Sequence, residues 1–195
     1  MCLKNTLNSY GVVAKGLHWV MAGLIIALLA VGLLLEEFEN TPTFMTLINL
    51  HKEFGIIVLS LAVLRLGWKV LDVSPSLPAH MGCAAKMMAK LGHLGLYALM
   101  FAMPITGWLK SNAAGYPVSM FGIFNMPMLV EKDKDFSHDM GELHETFAWV
   151  LIGLLALHIL AALVHHFYYK DDVLRRMLPK CRKSEIKNSD ISAGC

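Results

Sequence analysis

Histidine offers the widest range of chemistry among the side chains of this 195-residue chain, which contains nine of them. Seven lie in or beside long apolar stretches, and among them His18, His51, His144 and His158 can be matched by depth. His144 and His158 are 14 residues apart, so on one helix they share a face and are separated by about 21 Å. A neutral imidazole buried in such a helix is a metal ligand or a hydrogen-bonded core residue, because its ring nitrogens need partners.

Depth along the helices sorts these histidines into two pairs. His51 and His144 lie near one end of their stretches, and His18 and His158 lie toward the other. Two imidazoles from facing helices suit the two axial positions of a haem iron. Zinc is disfavoured, because each level supplies only two nitrogens. The sequence therefore predicts these four histidines as haem-iron ligands, although each of them alone is also typical of an interfacial or core position.

Four apolar stretches provide the elements that must carry the histidines. They cover residues 16–35, 54–71, 91–109 and 146–164, and only the second contains charges, at Arg65 and Lys69. A bilayer core requires about 20 helical residues, and a helix satisfies its own backbone in lipid. We therefore predict an all-α integral membrane four-helix bundle with helices at about 16–36, 51–71, 91–109 and 143–166. These would form one domain over 1–180, followed by a disordered cytoplasmic tail over 181–195.

The charges between the stretches predict the orientation of the bundle. Segment 36–50 has three acids and no base, and segment 110–145 has six acids against three lysines. The N-terminal segment has two lysines and no acid, and the region from 167 onward has seven bases against four acids. Because basic segments stay in the cytoplasm, both termini and the 72–90 connection should be cytoplasmic. The two acidic connections should then face the periplasm of a bacterium.

The composition and the motifs exclude several other classes of function. The chain is 56% hydrophobic and only 16% charged, which indicates a membrane protein and not a soluble domain. It contains no phosphate-binding loop, dinucleotide fingerprint or CxxC pair, and "HETF" lacks the second histidine of a zinc protease. No basic stripe predicts binding to nucleic acid.

Three further residues have two interpretations each. Arg65, near the inner end of the second helix, either snorkels to the surface or pairs with a haem propionate. His165 and His166 end the fourth helix at the cytoplasmic surface. They are either ordinary interfacial residues or cofactor-binding groups that handle protons and contact a quinone, because histidine titrates near neutral pH.

Several motifs resemble the bacterial cytochrome b561 family over about residues 10–180. They are "GLHW", "LHKEFG", "HLGLYALMFAMPITGW" and "LHETFAWVLIGLLALHILAALVHHFYYKDDVLRRMLP". The resemblance implies a b-type cytochrome of the bacterial inner membrane with two haem b groups. On the positions that match the family motifs, it implies ligation by His18, His51, His144 and His158.

The family resemblance also implies an activity. One branch that is similar to this chain takes electrons from periplasmic superoxide and passes them to ubiquinone, and we expect the same here. The alternative is a cytochrome b subunit that docks to a periplasmic dehydrogenase or hydrogenase through the acidic stretch "VEKDKDFSHDMGE". A membrane protein without a cofactor is the remaining alternative.

That acidic stretch would repel the superoxide anion. Lys52 and Lys110 are the catalytic candidates that would offset the repulsion near the outer histidines. Their other interpretation is that of interfacial lysines that snorkel to the membrane surface.

Overall fold

Each apolar stretch forms one long helix in the computed structural model, which describes residues 3–7, 9–76, 78 and 81–178. The four helices are α1 Val12–Leu34, α2 Phe44–Leu71, α3 Cys83–Ala113 and α4 Lys134–Phe167. All four are long and apolar enough to cross a membrane. The prediction of an all-α protein with four membrane-spanning helices is therefore confirmed. Its sidedness stays a prediction, and the proposed tail over 181–195 lies outside the described residues.

The helices extend beyond the stretches from which they were predicted. α2 begins at Phe44 instead of residue 51, and α4 begins at Lys134 instead of residue 143. The reason is that hydrophobicity marks the part of a helix in lipid, whereas capping marks where the helix begins. Asp133 caps α4, since its carboxylate accepts hydrogen bonds from the backbone N–H groups of Asp135 and Phe136 at 2.9 and 3.0 Å. Much of the predicted outer connection is thus the first turns of α4.

A small antiparallel hairpin lies in the connection between α3 and α4. Its strands are β1 Ser119–Met120 and β2 Phe124–Asn125, with Met120 opposite Phe124. The sequence analysis did not predict the hairpin, because strands of two residues are too short to produce a periodic pattern. A 3₁₀ turn, Glu36–Phe38, follows α1, and a short helix, α5 Val173–Met177, follows α4.

The helices pack in chain order, α1 on α2, α2 on α3 and α3 on α4. A buried cluster of Met21, Val58, Ala62 and Met100 joins the first three helices at the level between the histidine pairs. α3 and α4 approach closely at Gly95, where an added Cβ would lie only 3.1 Å from Cδ1 of Leu154. Large apolar side chains elsewhere point outward from the helices, as a lipid-facing surface requires.

Hydrogen bonds connect the N-terminal segment, the α2–α3 connection and α5 to the bundle at the end where α1 begins. The backbone N–H of Asn5 donates to the carboxylate of Asp72 at 2.8 Å, and the indole N–H of Trp19 donates to the carbonyl of Met177 at 2.9 Å. Burial raises the pKa of Tyr10, just before α1, above its ordinary value. The N-terminal segment, the α2–α3 connection and α5 are therefore attached to the bundle at this end.

Candidate functional site

His51 of α2 and His144 of α4 lie together at the end of the bundle that we call outer. Their ring centroids are 6.2 Å apart. The Nδ1 atom of His144 lies 3.0 Å from the carbonyl oxygen of Met103, so that this nitrogen donates a hydrogen bond. A neutral ring that donates from Nδ1 keeps the lone pair of Nε2 for a metal. Thr106 supports the same arrangement, with its hydroxyl 3.2 Å from His144 Nδ1.

A glycine lies against each ring of the outer pair. A Cβ added at Gly107 would lie 3.0 Å from Cε1 and 3.2 Å from Nδ1 of His144. A Cβ added at Gly32 would lie 3.3 Å from Cε1 of His51. Sequence reasoning missed both glycines. The only sequence signal for them was that each is a glycine inside a predicted helix. Such a glycine lowers helix stability by about 1 kcal/mol relative to alanine, so its presence indicates a packing or functional role.

His18 of α1 and His158 of α4 form a second pair toward the inner end, with ring centroids 6.2 Å apart. The ring of His93 lies 5.6 Å from that of His158. Arg65, further along α2 from the outer pair, is half-buried and places its guanidinium 2.9 Å from Nδ1 of His18. Its Nε also donates to the Tyr97 hydroxyl at 3.4 Å. The structure therefore brings Arg65 into contact with the inner pair.

Both ring separations fit an iron between the two rings. A metal–imidazole bond is about 2 Å long and the ring centre lies about 1 Å behind the bonding nitrogen, so opposed axial rings have centres about 6 Å apart. Among the described residues, no three side chains of histidine, cysteine, aspartate or glutamate gather as an ordinary metal site requires. Two nitrogens at each of two levels match the axial ligand demand of haem.

The surroundings of His51 also fit an apolar ligand. A cavity of about 250 Å³ adjoins His51 between α1 and α2. Its walls are apolar, formed by Leu24, Ala27, Leu28, Val31, Leu47, Leu50 and Phe54. This site therefore suits a large apolar group next to the ring of His51.

The two candidate lysines differ in their relation to the outer pair. Lys110 is exposed, and its side chain crosses α4 at Gly141, where an added Cβ would lie 3.3 Å from its Cε. Gly141 comes one turn before His144 on α4, so the ammonium group of Lys110 lies near the outer pair. Lys52 is half-buried, and its charge interacts with that of the adjacent Glu53. Lys110 is therefore the candidate lysine that lies beside α4 near the outer pair.

His165 and His166 do not act as one unit. Nδ1 of His165 lies 2.6 Å from a carboxylate oxygen of Asp171, and these side chains are only 17% and 8% exposed. The ring of His166 packs edge-on against Phe167 at 4.9 Å, and its Nδ1 is buried without a hydrogen-bond partner among the described residues. Within the described part of the chain, no hydrogen bond or ring contact joins either residue to the inner pair.

Comparison with known proteins places this chain among membrane cytochromes. The family model described as prokaryotic cytochrome b561 matches residues 9–180. Cytochrome b561 homolog 2 of Escherichia coli strain K12 is 35% identical over 188 residues, which cover 92% of this chain and 96% of that protein. Cytochrome b561 homolog 1 of the same strain is 28% identical, covering 89% and 99% of the two chains. The probable superoxide oxidase CybB of Yersinia pestis is 29% identical, covering 90% and 98%.

Proposed function

The chain belongs to the prokaryotic cytochrome b561 family, and from this premise we propose that it is a superoxide:ubiquinone oxidoreductase. Members of the family bind haem b and transfer electrons, and the four spanning helices make this chain a multi-pass protein of the bacterial inner membrane. In the proposed reaction, two superoxide anions each lose one electron and leave as dioxygen. One ubiquinone takes up the two electrons and two protons to form ubiquinol.

The two histidine pairs support binding of two haem b groups. His51 and His144 would ligate one, and His18 and His158 the other, since each pair has the 6.2 Å centroid separation of opposed axial rings. When bound, haem b supplies a one-electron carrier at each level. With both histidines of a pair bound to its iron, a haem would have no open position for oxygen.

Charged and titratable residues at the inner end have assignable roles in this proposal. Arg65 places a half-buried cation beside His18, and a haem propionate is the anion that it would pair with. His165 shares a short hydrogen bond with Asp171 and is our candidate for handling the protons that ubiquinone takes up. His166, whose ring packs against Phe167, is assigned no part in that step.

The observation that carries the superoxide assignment is the position of Lys110. Its ammonium group lies beside α4 at Gly141, one turn before the outer histidine His144. A cation at this point attracts a small anion to the outer pair. Nearby, the carboxylate of Asp133 caps α4, where the positive end of the helix partly offsets its negative charge.

Stopped-flow mixing of the purified oxidised protein with superoxide tests the proposal. We expect reduction of the b-type haem absorbance, followed by reoxidation when a short-chain ubiquinone is present. Lys110→Ala should slow the reduction by about tenfold at low salt, and the difference should shrink as salt screens the charge. Lys132→Ala is the matched control, because it removes an exposed lysine from the connection that follows α3, and it should react like the unmodified protein.

Two results would count against this assignment. Equal rates for the Lys110 and Lys132 variants would remove Lys110 from the superoxide site. A protein that dithionite reduces but superoxide does not would exclude superoxide as the donor.

A second candidate function is that of an electron-transfer subunit for a periplasmic dehydrogenase or hydrogenase. Asp135, Asp139 and Glu142 are exposed on successive turns of α4 at the outer end. Such a face suits a basic partner protein, whose association would weaken with salt. Co-purification of a redox enzyme that is lost when Asp135 and Asp139 are changed to lysine would favour this function.

A further inference from the structure

The turn of the outer hairpin has an unusual backbone. Phe121 adopts φ 52° and Gly122 adopts φ 71°, and the N–H of Ile123 donates to the Met120 carbonyl at 2.9 Å. Glycine takes this left-handed conformation freely, but a residue as bulky as phenylalanine does so only under strain. Something outside the turn must therefore hold Phe121 in place.

Two contacts with α2 hold the turn. The N–H of Phe121 donates to Oε1 of Glu53 at 3.1 Å, and its ring packs edge-on against Phe54 at a centroid distance of 5.8 Å. Glu53 is only 8% exposed. A buried carboxylate thus supplies the acceptor for an amide at the tip of the hairpin.

These contacts place the tip of the hairpin deeper in the bundle than Lys110, the last charged residue of α3. His51, His144 and Gly107 lie at about the same level, because the ring of His144 is close both to the ring of His51 and to the backbone of Gly107. Phe54 follows His51 inward by three residues, about 4.5 Å, and Lys110 follows Gly107 outward by three residues, also about 4.5 Å. Phe54 therefore lies about 9 Å deeper than Lys110 along the bundle. The chain leaves α3 beyond Lys110 and turns back toward the membrane.

The side chains at the tip suit that depth. Phe121, Ile123 and Phe124 are 49%, 81% and 57% exposed. The N–H groups of Phe121 and Ile123 are paired, with Glu53 and with the Met120 carbonyl, and a turn of this kind suits the hydrated interface of the bilayer better than its hydrocarbon core. Water would be a poor environment for three large apolar residues within four positions of one small turn.

We propose that the hairpin of residues 119–125 is a re-entrant element whose tip lies in the outer interface of the lipid bilayer. Phe121, Ile123 and Phe124 contact lipid there, and Glu53 keeps the amide of Phe121 from being left unpaired next to hydrocarbon. The ring of Phe121 packs against Phe54 of the spanning helix α2, so the lipid around that helix is the partner that we assign to this surface. The inference depends on neither the haem ligands nor the choice of superoxide as substrate.

Cysteine accessibility tests the placement. Ile123→Cys is made in a background whose native cysteines are serine, and the purified holoprotein is placed in nanodiscs of phosphatidylethanolamine and phosphatidylglycerol. A water-soluble maleimide reacts with the thiolate and therefore needs water at the site. Glu131→Cys, exposed in the same connection, is the aqueous control, and Val63→Cys, 57% exposed on α2, is the lipid control.

The cysteine at 123 should react about tenfold more slowly than the one at 131, and at a rate near that at 63. Phe124→Cys is a second reporter in case the first variant does not fold, and it should behave in the same way. A cysteine at 123 or 124 that reacts as fast as the one at 131 would overturn the proposal. The tip would then lie in water, open to a soluble protein.

Discussion

Gly107 provides the sharpest test of the proposed outer haem site. Replacing it with alanine adds one methyl group on the face of α3 that meets His144. That methyl carbon would lie 3.0 Å from Cε1 and 3.2 Å from Nδ1 of the ring, where ordinary contacts are 3.4–4 Å. The imidazole must therefore move by several tenths of an ångström or more.

The expected loss of haem affinity can be estimated from the hydrogen bond that the His144 ring loses when it moves. Its Nδ1 is 3.0 Å from the Met103 carbonyl, and displacement stretches this hydrogen bond beyond useful length. A bond of this kind contributes about 1 kcal/mol, and loss of such an outer partner weakens a metal–histidine site by about 10- to 100-fold. Alanine also favours the helix by about 1 kcal/mol over glycine, so the fold itself should be retained.

The assay is the haem content of the purified protein together with a potentiometric titration of its haem absorbance. Gly107→Ala should lose the outer haem or shift its potential, while the inner haem is unchanged. Gly92→Ala is the matched control on the same helix, because no atom lies within 4 Å of its added Cβ. Gly32→Ala should have a smaller effect than Gly107→Ala, since its Cβ would lie 3.3 Å from His51.

One result would refute this reasoning directly. If Gly107→Ala retained the haem content and both potentials of the unmodified protein, the ring of His144 would not be positioned as an iron ligand. A loss of haem that was equal in Gly92→Ala would instead show that α3 tolerates no added methyl group, and the glycine argument would fail.

Two further predictions concern the inner end of the protein. His158→Ala should lose or loosen the inner haem and spare the outer one. His138→Ala, which changes an exposed histidine, should keep both. Equal haem absorbance spectra for the two variants would contradict the pairing of His18 with His158. Burial raises the pKa of Tyr10 above 10.0, so its neutral phenol stabilises the fold at lower pH and this contribution is lost as the pH rises through the raised value. Ultraviolet titration should show a late-ionising tyrosine that Tyr10→Phe removes, and an unchanged titration curve would contradict this.

The spans and the levels of the histidines were predictable because both depend on residues close together in the chain. An uncharged stretch of about 20 residues is sufficient to indicate a spanning helix. The helical repeat is sufficient to place His144 and His158 on one face. The same local signals failed at the helix ends, since the polar turns before His144 carry no hydrophobic pattern and depend on the cap at Asp133.

The supporting residues of the site were not predictable in the same way, because their partners are far apart in sequence. The bond between His144 and Met103 spans 41 residues, and that between Glu53 and Phe121 spans 68. Arg65 lies within 2.9 Å of His18, a contact that neither of its two interpretations predicted.

The sequence by itself determined a four-span membrane protein with histidines at two depths, because hydrophobicity and helical periodicity are properties of each segment alone. Only the tertiary structure showed that Gly32 and Gly107 lie against the rings of His51 and His144, that Lys110 lies beside α4 at Gly141, and that the hairpin contacts α2. The physical reason is that these roles require a distance between atoms on different helices. Packing sets such distances, and no single segment encodes them.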